Sequence, residues 1–250
     1  MFKAVTADTK LLRNSIDTIS QLIDDGLFKL SKEGMELSAA DRATVSFVDF
    51  KLNSSAFDDY KCDANISIGL NLLNFLTVLK RANANDKLTL NLDEKENKLE
   101  IILEGDSKRK FAIPLIEIRR EEMPQVDKLE FTADAKVRAD IIEQGINDAD
   151  IVADSIIIEL SEDNLRMFAS GNSSKSELNL EKGNEALLDL RAGTRVQSRY
   201  SLEYLKKMIK GSRISDSMKI MLGKDFPLKM LFESKDACLS MILAPRVSED

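Results

Sequence analysis

The sequence predicts an α+β protein built from two tandem copies of one sheet-and-helix unit. Three observations support this fold class. Segments of the two halves align at nearly one offset, short strand-like runs are separated by polar turns, and apolar stripes with helical spacing occur in each half. At 250 residues the chain has room for two ordinary domains, each with its own apolar core.

The internal repeat is the observation on which the fold prediction depends most. Single identities between the halves are few, but apolar positions agree across several segments at an offset of about 130 residues. Agreement of this kind is typical of a duplicated supersecondary unit. The aligned positions are residues 30–37 with 160–167, Leu72 with Leu202, Leu90 with Ile220, residues 111–114 with 241–245, and residues 6–8 with 132–134.

Each half is predicted to follow the order βαβββαβββ. In the first predicted helix, Leu12, Ile16 and Ile19 lie on one apolar stripe. Helices are predicted at residues 9–23, 71–81, 136–146 and 201–210, and strands of the first half at residues 26–31, 35–39, 44–52, 87–92, 99–104 and 110–115. The predicted domains are residues 1–115 and 131–250, joined by a charged, proline-containing connector at residues 116–130.

Composition limits the class of protein. The 43% of hydrophobic and 32% of charged residues are typical of a soluble globular protein, and no run approaches the roughly 20 apolar residues of a membrane span. The first residues lack a secretory signal, and Cys62 and Cys238 are interpreted as reduced thiols, so an intracellular protein is expected. The net charge of −7 argues against unspecific adhesion to nucleic acid but leaves room for a local basic patch.

Catalytic and metal-binding patterns are missing from the sequence. It contains no histidine, no glycine-rich phosphate loop and no C-x-x-C spacing, so neither an enzyme nor a metal or cofactor site is predicted. Neighbouring acids such as Asp24 and Asp25 are interpreted as solvated residues beside turns rather than cation ligands.

The polar faces of the predicted helices suggest a second kind of surface. Three of the four faces lean basic, whereas the third helix is neutral to acidic. Lysine and arginine on such faces contact phosphates without reading bases. The basic-leaning faces carry Lys10, Arg13 and Asn14 on the first helix, Thr77, Lys80 and Arg81 on the second, and Lys206, Lys207 and Lys210 on the fourth.

Several segments, taken in order, resemble the sliding clamps of the proliferating cell nuclear antigen family. They are residues 34–47, 57–63, 68–72, 78–80 and 243–246, and the short tail after Pro245 resembles archaeal members. The resemblance implies a homotrimeric ring with sheets on its outer face and helices lining the hole. It also implies a processivity factor for DNA polymerase that encircles duplex DNA, independently of sequence, and acts in replication and repair.

The resemblance implies three sets of site residues. The positions facing DNA are Lys10, Arg13, Asn14, Thr77, Lys80, Arg81, Gln144, Asn147, Lys206, Lys207 and Lys210. An apolar pocket for partner peptides is expected at Ala40, Thr44, Val45, Phe47, Met123, Pro124, Pro227, Ile242, Ala244 and Pro245. Subunit contacts are expected at Lys108, Arg109, Lys110, Phe111, Ile113, Ser174, Glu177, Leu178 and Leu180.

The implied partners are duplex DNA, two further copies of the chain, a clamp loader, DNA polymerase, flap nuclease and ligase, without a membrane. The implied location is the cytoplasm and nucleoid of an archaeal cell, or the nucleus of a eukaryotic cell. Three alternatives remain open: one subunit of a heterotrimeric clamp, a scaffold that binds only proteins and never surrounds DNA, and an enzyme.

Overall fold

The computed structural model describes residues 1–118 and 126–246 of the chain. These residues fall into two compact units, each described by itself. The first contains residues 1–42, 48–118 and 234–239, and the second contains residues 43–47, 126–233 and 240–246. Along the chain the element order βαβββββαβββ occurs twice, so the predicted α+β fold with two tandem repeats is confirmed.

The first repeat places one helix after its first strand and one after its sixth. Its elements are β1 (Phe2–Thr6), α1 (Lys10–Ile19), β2 (Asp25–Ser31), β3 (Gly34–Ala40), β4 (Ser46–Asn53), β5 (Asp59–Cys62), β6 (Ile66–Asn71), α2 (Leu72–Leu79), β7 (Lys87–Asp93), β8 (Lys98–Glu104) and β9 (Lys108–Pro114).

The second repeat follows the same order. Its elements are β10 (Ala133–Arg138), α3 (Ala139–Asp150), β11 (Ser155–Leu160), β12 (Asn164–Ser170), β13 (Lys175–Glu181), β14 (Leu187–Ala192), β15 (Val196–Ser201), α4 (Leu202–Met208), β16 (Ser217–Leu222), β17 (Leu228–Glu233) and β18 (Ala237–Leu243).

Strand order is also duplicated. In the first unit a five-stranded sheet runs β5-β1-β7-β8-β9, and four further strands run β6-β2-β3-β4. In the second unit the corresponding orders are β14-β10-β16-β17-β18 and β15-β11-β12-β13. The strand pairs whose register is recorded are antiparallel, as expected for a meander with short turns. Within the described residues, β9 pairs only with β8 and β13 only with β12, so both are edge strands.

The helices bury one apolar face against these sheets. Helix α1 buries Leu12, Ile16 and Ile19, as its stripe predicts. Helix α2 begins after Asn71, whose side-chain oxygen accepts a hydrogen bond of 3.0 Å from the amide of Asn74 and so caps the helix. Within each unit the two helices lie side by side and leave their polar faces exposed.

Two predicted features of the repeat are wrong in detail. Five strands, not three, separate the helices of each half, because β5, β6, β14 and β15 lack the apolar runs that mark a buried strand. Residues 136–138 belong to β10 rather than to a helix. Their side chains alternate between exposed and buried, and pairing with β16 overrides the helix propensity of Lys136 and Arg138.

The proposed alignment of residues 6–8 with 132–134 is also wrong. Ala4 pairs with Leu90, and Ala135 pairs with Ile220, which is Leu90 shifted by 130 residues. Ala4 therefore corresponds to Ala135, at an offset of 131 rather than 126. None of the helices among residues 1–118 and 126–246 is long and apolar enough to span a membrane.

Candidate DNA-facing and partner-binding surfaces

An apolar cavity of about 230 Å³ lies in the second unit. It is lined by Thr44, Val45, Ser46, Phe47, Val126, Leu129, Pro227, Ile242 and Ala244. These residues come from three stretches of the chain that are distant in sequence: the segment leading into β4, the short 3-10 turn Val126–Lys128 with Leu129, and the ends of β17 and β18. Such a groove suits apolar anchors of a short peptide.

Six residues predicted for the partner pocket line this cavity: Thr44, Val45, Phe47, Pro227, Ile242 and Ala244. Of the others, Ala40 and Pro245 do not line it, and Met123 and Pro124 lie outside the described residues. Sequence reasoning missed Ser46, Val126 and Leu129. The three-residue spacing of Val126 and Leu129, which follows one helical turn, was a usable signal.

The Pro227 side of the cavity is held by buried hydrogen bonds. The hydroxyl of Tyr200 donates to the carbonyl of Phe226 at 2.7 Å, and the amide of Phe226 donates to the hydroxyl of Ser198 at 3.0 Å. Tyr200 is fully buried, and burial raises the pKa of its phenol above the usual value near 10. The loop before Pro227 is therefore fixed by groups that do not themselves line the cavity.

The opposite side contains a strained backbone. Thr44 has φ of 56°, in the left-handed region that β-branched residues avoid. Beside it, the carbonyl of Val45 accepts a hydrogen bond of 2.9 Å from the amide of Ala244. Strain of this kind persists where surrounding contacts determine the backbone, and it is common at binding sites.

The predicted DNA-facing residues of the first unit form a basic helical surface. Lys10 is exposed at the start of α1, and Lys80 and Arg81 are exposed just after α2. Arg13 and Asn14 are half-buried on α1, and Thr77 is exposed on α2. The Nζ of Lys80 lies 2.8 Å from the Oδ1 of Asp17, so one of these charges is already paired with an acid of the neighbouring helix.

The second unit presents a mixed surface instead. Gln144 and Asn147 are exposed on α3, where they carry no charge, and Lys210 follows α4 in a 3-10 turn. Lys206 pairs with Asp150 of α3 at 2.6 Å, and Lys207 pairs with Glu203 at 2.9 Å. These lysines meet carboxylates of their own helix pair, so the basic character is concentrated on the first unit.

The residues predicted for subunit contacts lie on or beside the two edge strands. Lys108 to Ile113 belong to β9, Glu177 to Leu180 belong to β13, and Ser174 directly precedes β13. Glu177 accepts hydrogen bonds of 2.8 and 3.0 Å from Arg166, which hold the pKa of that carboxyl below its usual range.

Arg109 differs from its charged neighbours because it is tied to its own unit. Its guanidinium contacts the buried carboxylate of Asp86 and donates a hydrogen bond of 3.0 Å to the carbonyl of Arg81. Lys108 pairs with Glu104 at 3.0 Å. The predicted rim of three basic residues is thus reduced chiefly to Lys110.

In the parts of the chain that the structure describes, no group of three or more cysteine, aspartate or glutamate side chains is placed to hold a metal ion. The acids predicted to be solvated turn residues have ordinary partners. Asp24 lies 3.0 Å from Arg42, and Asp25 accepts a hydrogen bond of 2.8 Å from Asn71.

Comparison with known proteins gives matches over nearly the whole chain. The family described as "Proliferating cell nuclear antigen, N-terminal domain" matches residues 1–123, and the family described as "Proliferating cell nuclear antigen, C-terminal domain" matches residues 125–247. Two similar relatives are each named "DNA polymerase sliding clamp". The one from Methanobrevibacter smithii is 36% identical and covers 100% of both chains, and the one from Thermococcus sibiricus is 37% identical and covers 99% of both.

Two solved structures are similar in fold. A proliferating cell nuclear antigen from Thermococcus kodakaraensis superposes with a TM-score of 0.91 and 30% identity, covering 98% of this chain and 100% of that one. A chain from a PCNA2–PCNA3 complex of Sulfolobus tokodaii superposes with a TM-score of 0.89 and 27% identity, covering 98% and 99%.

Proposed function

Because the chain belongs to the proliferating cell nuclear antigen family, we propose that it is a DNA sliding clamp and processivity factor for DNA polymerase. The observation that carries the proposal is the match of both family domains, in order, over nearly the whole chain. The names of relatives that cover all of its length support the same activity. In this proposal three copies close a ring around duplex DNA and carry partner enzymes along it.

The two edge strands support ring closure through main-chain pairing. An unpaired edge invites another strand, and closure of a ring satisfies it. We propose that β9 of one copy pairs with β13 of the next. Exposed ion pairs add at most about 1 kcal/mol each, so the backbone ladder and apolar side chains such as Phe111 and Leu178 supply most of the interface.

The chain itself supplies a template for the register of that pairing. Inside the first unit the amide of Asn53 donates to the carbonyl of Asp236 at 2.8 Å, and inside the second unit the amide of Ala244 donates to the carbonyl of Val45 at 2.9 Å. Both bonds join an end of β4 to an end of β18, which are the repeat counterparts of β13 and β9. The same register between two copies sets Lys110 opposite Glu177.

The helical surfaces support a weak, sequence-independent grip on DNA. Lys10, Arg13, Lys80 and Arg81 of the first unit have the chemistry to contact phosphates, while Gln144 and Asn147 of the second contribute no charge. A topological link does not need tight contact, so a partly neutralised surface is compatible with sliding.

The apolar cavity supports docking of short partner peptides. Aliphatic and aromatic anchors with the i, i+3, i+4 spacing of one helical turn fit a groove of this kind. Beyond the polymerase, we propose a clamp loader, a flap nuclease and a ligase as partners. The proposal includes no catalytic activity and no cofactor, and a location in the cytoplasm and nucleoid of an archaeal cell or the nucleus of a eukaryotic one.

Loading onto nicked circular DNA tests encirclement. A clamp loader with ATP should leave the protein bound to circles through a high-salt wash and release it after linearisation. Loss from circles and linear DNA alike would contradict the ring and favour a scaffold that binds only proteins.

A heterotrimer subunit is the second candidate, because a solved neighbour comes from a complex of two different clamp proteins. Light scattering on the lone chain separates the two. Three copies of the 28.0 kDa chain give about 84 kDa, whereas a persistent monomer would favour a heterotrimer.

A further inference from the structure

The segment after the last strand of each repeat is fastened to the same place. The amide of Ile116 donates to the carbonyl of Gly69 at 2.9 Å, and the amide of Arg246 donates to the carbonyl of Arg199 at 2.8 Å. Both donors and both acceptors are separated by 130 residues. The short tail after β18 is therefore the structural counterpart of the start of the connector, and it lies along the edge strand β15.

The tail has one contact that its counterpart does not have. The guanidinium of Arg246 lies 2.8 Å from the carboxylate of Asp154, and this hydrogen bond lowers the pKa of Asp154. Asp24, the counterpart of Asp154, pairs instead with Arg42, because Ile116 has no charge to offer. The acidic position is thus common to both repeats, whereas an arginine on the segment that follows the last strand occurs only in the second.

The contacts of the tail bracket one wall of the apolar cavity. Ala244 lines the cavity and is held by its own amide at Val45, while Arg246, two residues later, is held twice, through its amide and its guanidinium. Neither Arg246 nor Asp154 lines the cavity. Pro245 between them limits the backbone further, because its ring fixes φ.

We propose that Arg246 and Asp154 form a latch that positions the Ala244 wall for peptide docking. This inference rests on the proposed function of the cavity as a peptide groove. With the latch closed, the wall is already in place when a peptide arrives, so less conformational freedom is lost on binding. With the latch open, residues 244–246 keep only backbone bonds, and the bound peptide dissociates faster.

The test uses a fluorescein-labelled peptide with one leucine placed three residues ahead of two adjacent phenylalanines, titrated into the full-length protein. Arg246→Ala should raise the Kd about threefold to fivefold, mainly through faster dissociation, as expected for one exposed ion pair. Asp154→Asn should have the same effect. The double variant should lose no more than either single variant, because both act on one contact.

Three further variants separate positioning from direct contact. Arg246→Lys keeps the charge and should restore most of the affinity, and the exchange Asp154→Arg with Arg246→Asp should recover part of it. Arg191→Ala removes another exposed ion pair of the same unit, with Asp189 at 3.2 Å, and should leave the Kd unchanged.

Two outcomes overturn the latch. Unchanged peptide affinity in Arg246→Ala is one. The other is a loss confined to Arg246→Ala with Asp154→Asn neutral or tighter, since this means that Arg246 touches the peptide directly. If the unmodified protein does not bind the peptide at all, the peptide groove itself is wrong, which is a distinguishable result.

Discussion

Lys80, just after α2, pairs with Asp17 of α1 across 2.8 Å, and Asp17 is only 14% exposed. A lysine at the end of one helix is therefore partly neutralised by the helix beside it. Since Lys80 is a predicted phosphate contact, this pair reduces the grip of the first unit on DNA without removing the lysine from the surface.

Asp17→Asn should strengthen binding to duplex DNA, because it releases Lys80 from its internal partner. If Lys80 then contacts one more phosphate, the slope of log K against log salt should steepen by about 0.9. Fluorescence anisotropy of a labelled duplex between low and moderate salt measures this slope.

Asp49→Asn is the matched control for that experiment, because Asp49 is an exposed acid on β4 that bonds to Ser38. It changes the net charge equally and should leave the slope as it is. Identical slopes for Asp17→Asn and Asp49→Asn would mean that Lys80 does not face DNA.

The subunit register gives a charge-reversal prediction. Lys110→Glu places two acids opposite each other, at Glu177 of the next copy, and should weaken each interface by up to about 1 kcal/mol, or about fivefold in dissociation constant. Combining it with Glu177→Lys should restore much of the loss. Restoration will be incomplete, because Glu177 also pairs with Arg166 in its own chain.

Light scattering at low protein concentration reports the trimer fraction for both variants. Lys98→Glu supplies the control, since Lys98 lies on β8, which is flanked by strands on both sides. A trimer fraction insensitive to Lys110→Glu would place the pairing in another register.

The strained wall of the cavity predicts an unusual response to glycine. Thr44→Gly should relieve a left-handed conformation that costs a β-branched residue roughly 1–2 kcal/mol, offsetting the added freedom of the unfolded chain. The free energy of unfolding should therefore stay level or rise. Thr132→Gly, at an exposed site without positive φ, should lower it by about 1 kcal/mol. Equal losses in the two variants, measured by denaturant titration, would contradict the strain.

Peptide docking in the cavity can be tested with Ala244→Gln. A bulky polar side chain at this wall should reduce the affinity for the labelled peptide at least tenfold while the trimer remains intact. Leu188→Gln changes a half-exposed leucine outside the cavity and should have little effect. Binding that survives Ala244→Gln would locate the peptide elsewhere on the protein.

Much of the fold follows from the sequence because apolar spacing and the internal repeat are local signals. The stripe of Leu12, Ile16 and Ile19 is buried as predicted. The start of α3 was wrong because Lys136 and Arg138 favour a helix in isolation, and only the pairing of β10 with β16, about 80 residues away, makes them a strand.

The cavity follows from the sequence only in part, for a similar reason. Phe47, Pro227 and Ile242 were found through family resemblance, whereas Val126 and Leu129 acquire their role from chain segments roughly 100 residues away. Neither their periodicity nor their charge reports such a contact. Arg109 is a further example, since its spacing suggested a subunit rim and its tertiary partner is the buried Asp86.

Alkaline pH should destabilise the protein through its buried tyrosines. Burial raises the pKa of Tyr200 and Tyr60 above 10, so both stay protonated in the folded state while the unfolded chain ionises. The folded state then holds more protons, and stability present below pH 10 is lost as pH rises above it, by at most about 1.4 kcal/mol per pH unit for each fully buried phenol.

Tyr200→Phe isolates the contribution of one phenol. It should lower stability near neutral pH by roughly 1–3 kcal/mol, because the carbonyl of Phe226 loses its donor, and it should flatten the decline above pH 10. Denaturant titrations from pH 7 to 11 measure both effects. A decline as steep as that of the unmodified protein would show that the Tyr200 phenol titrates freely, and the loop that carries Pro227 would then need another support.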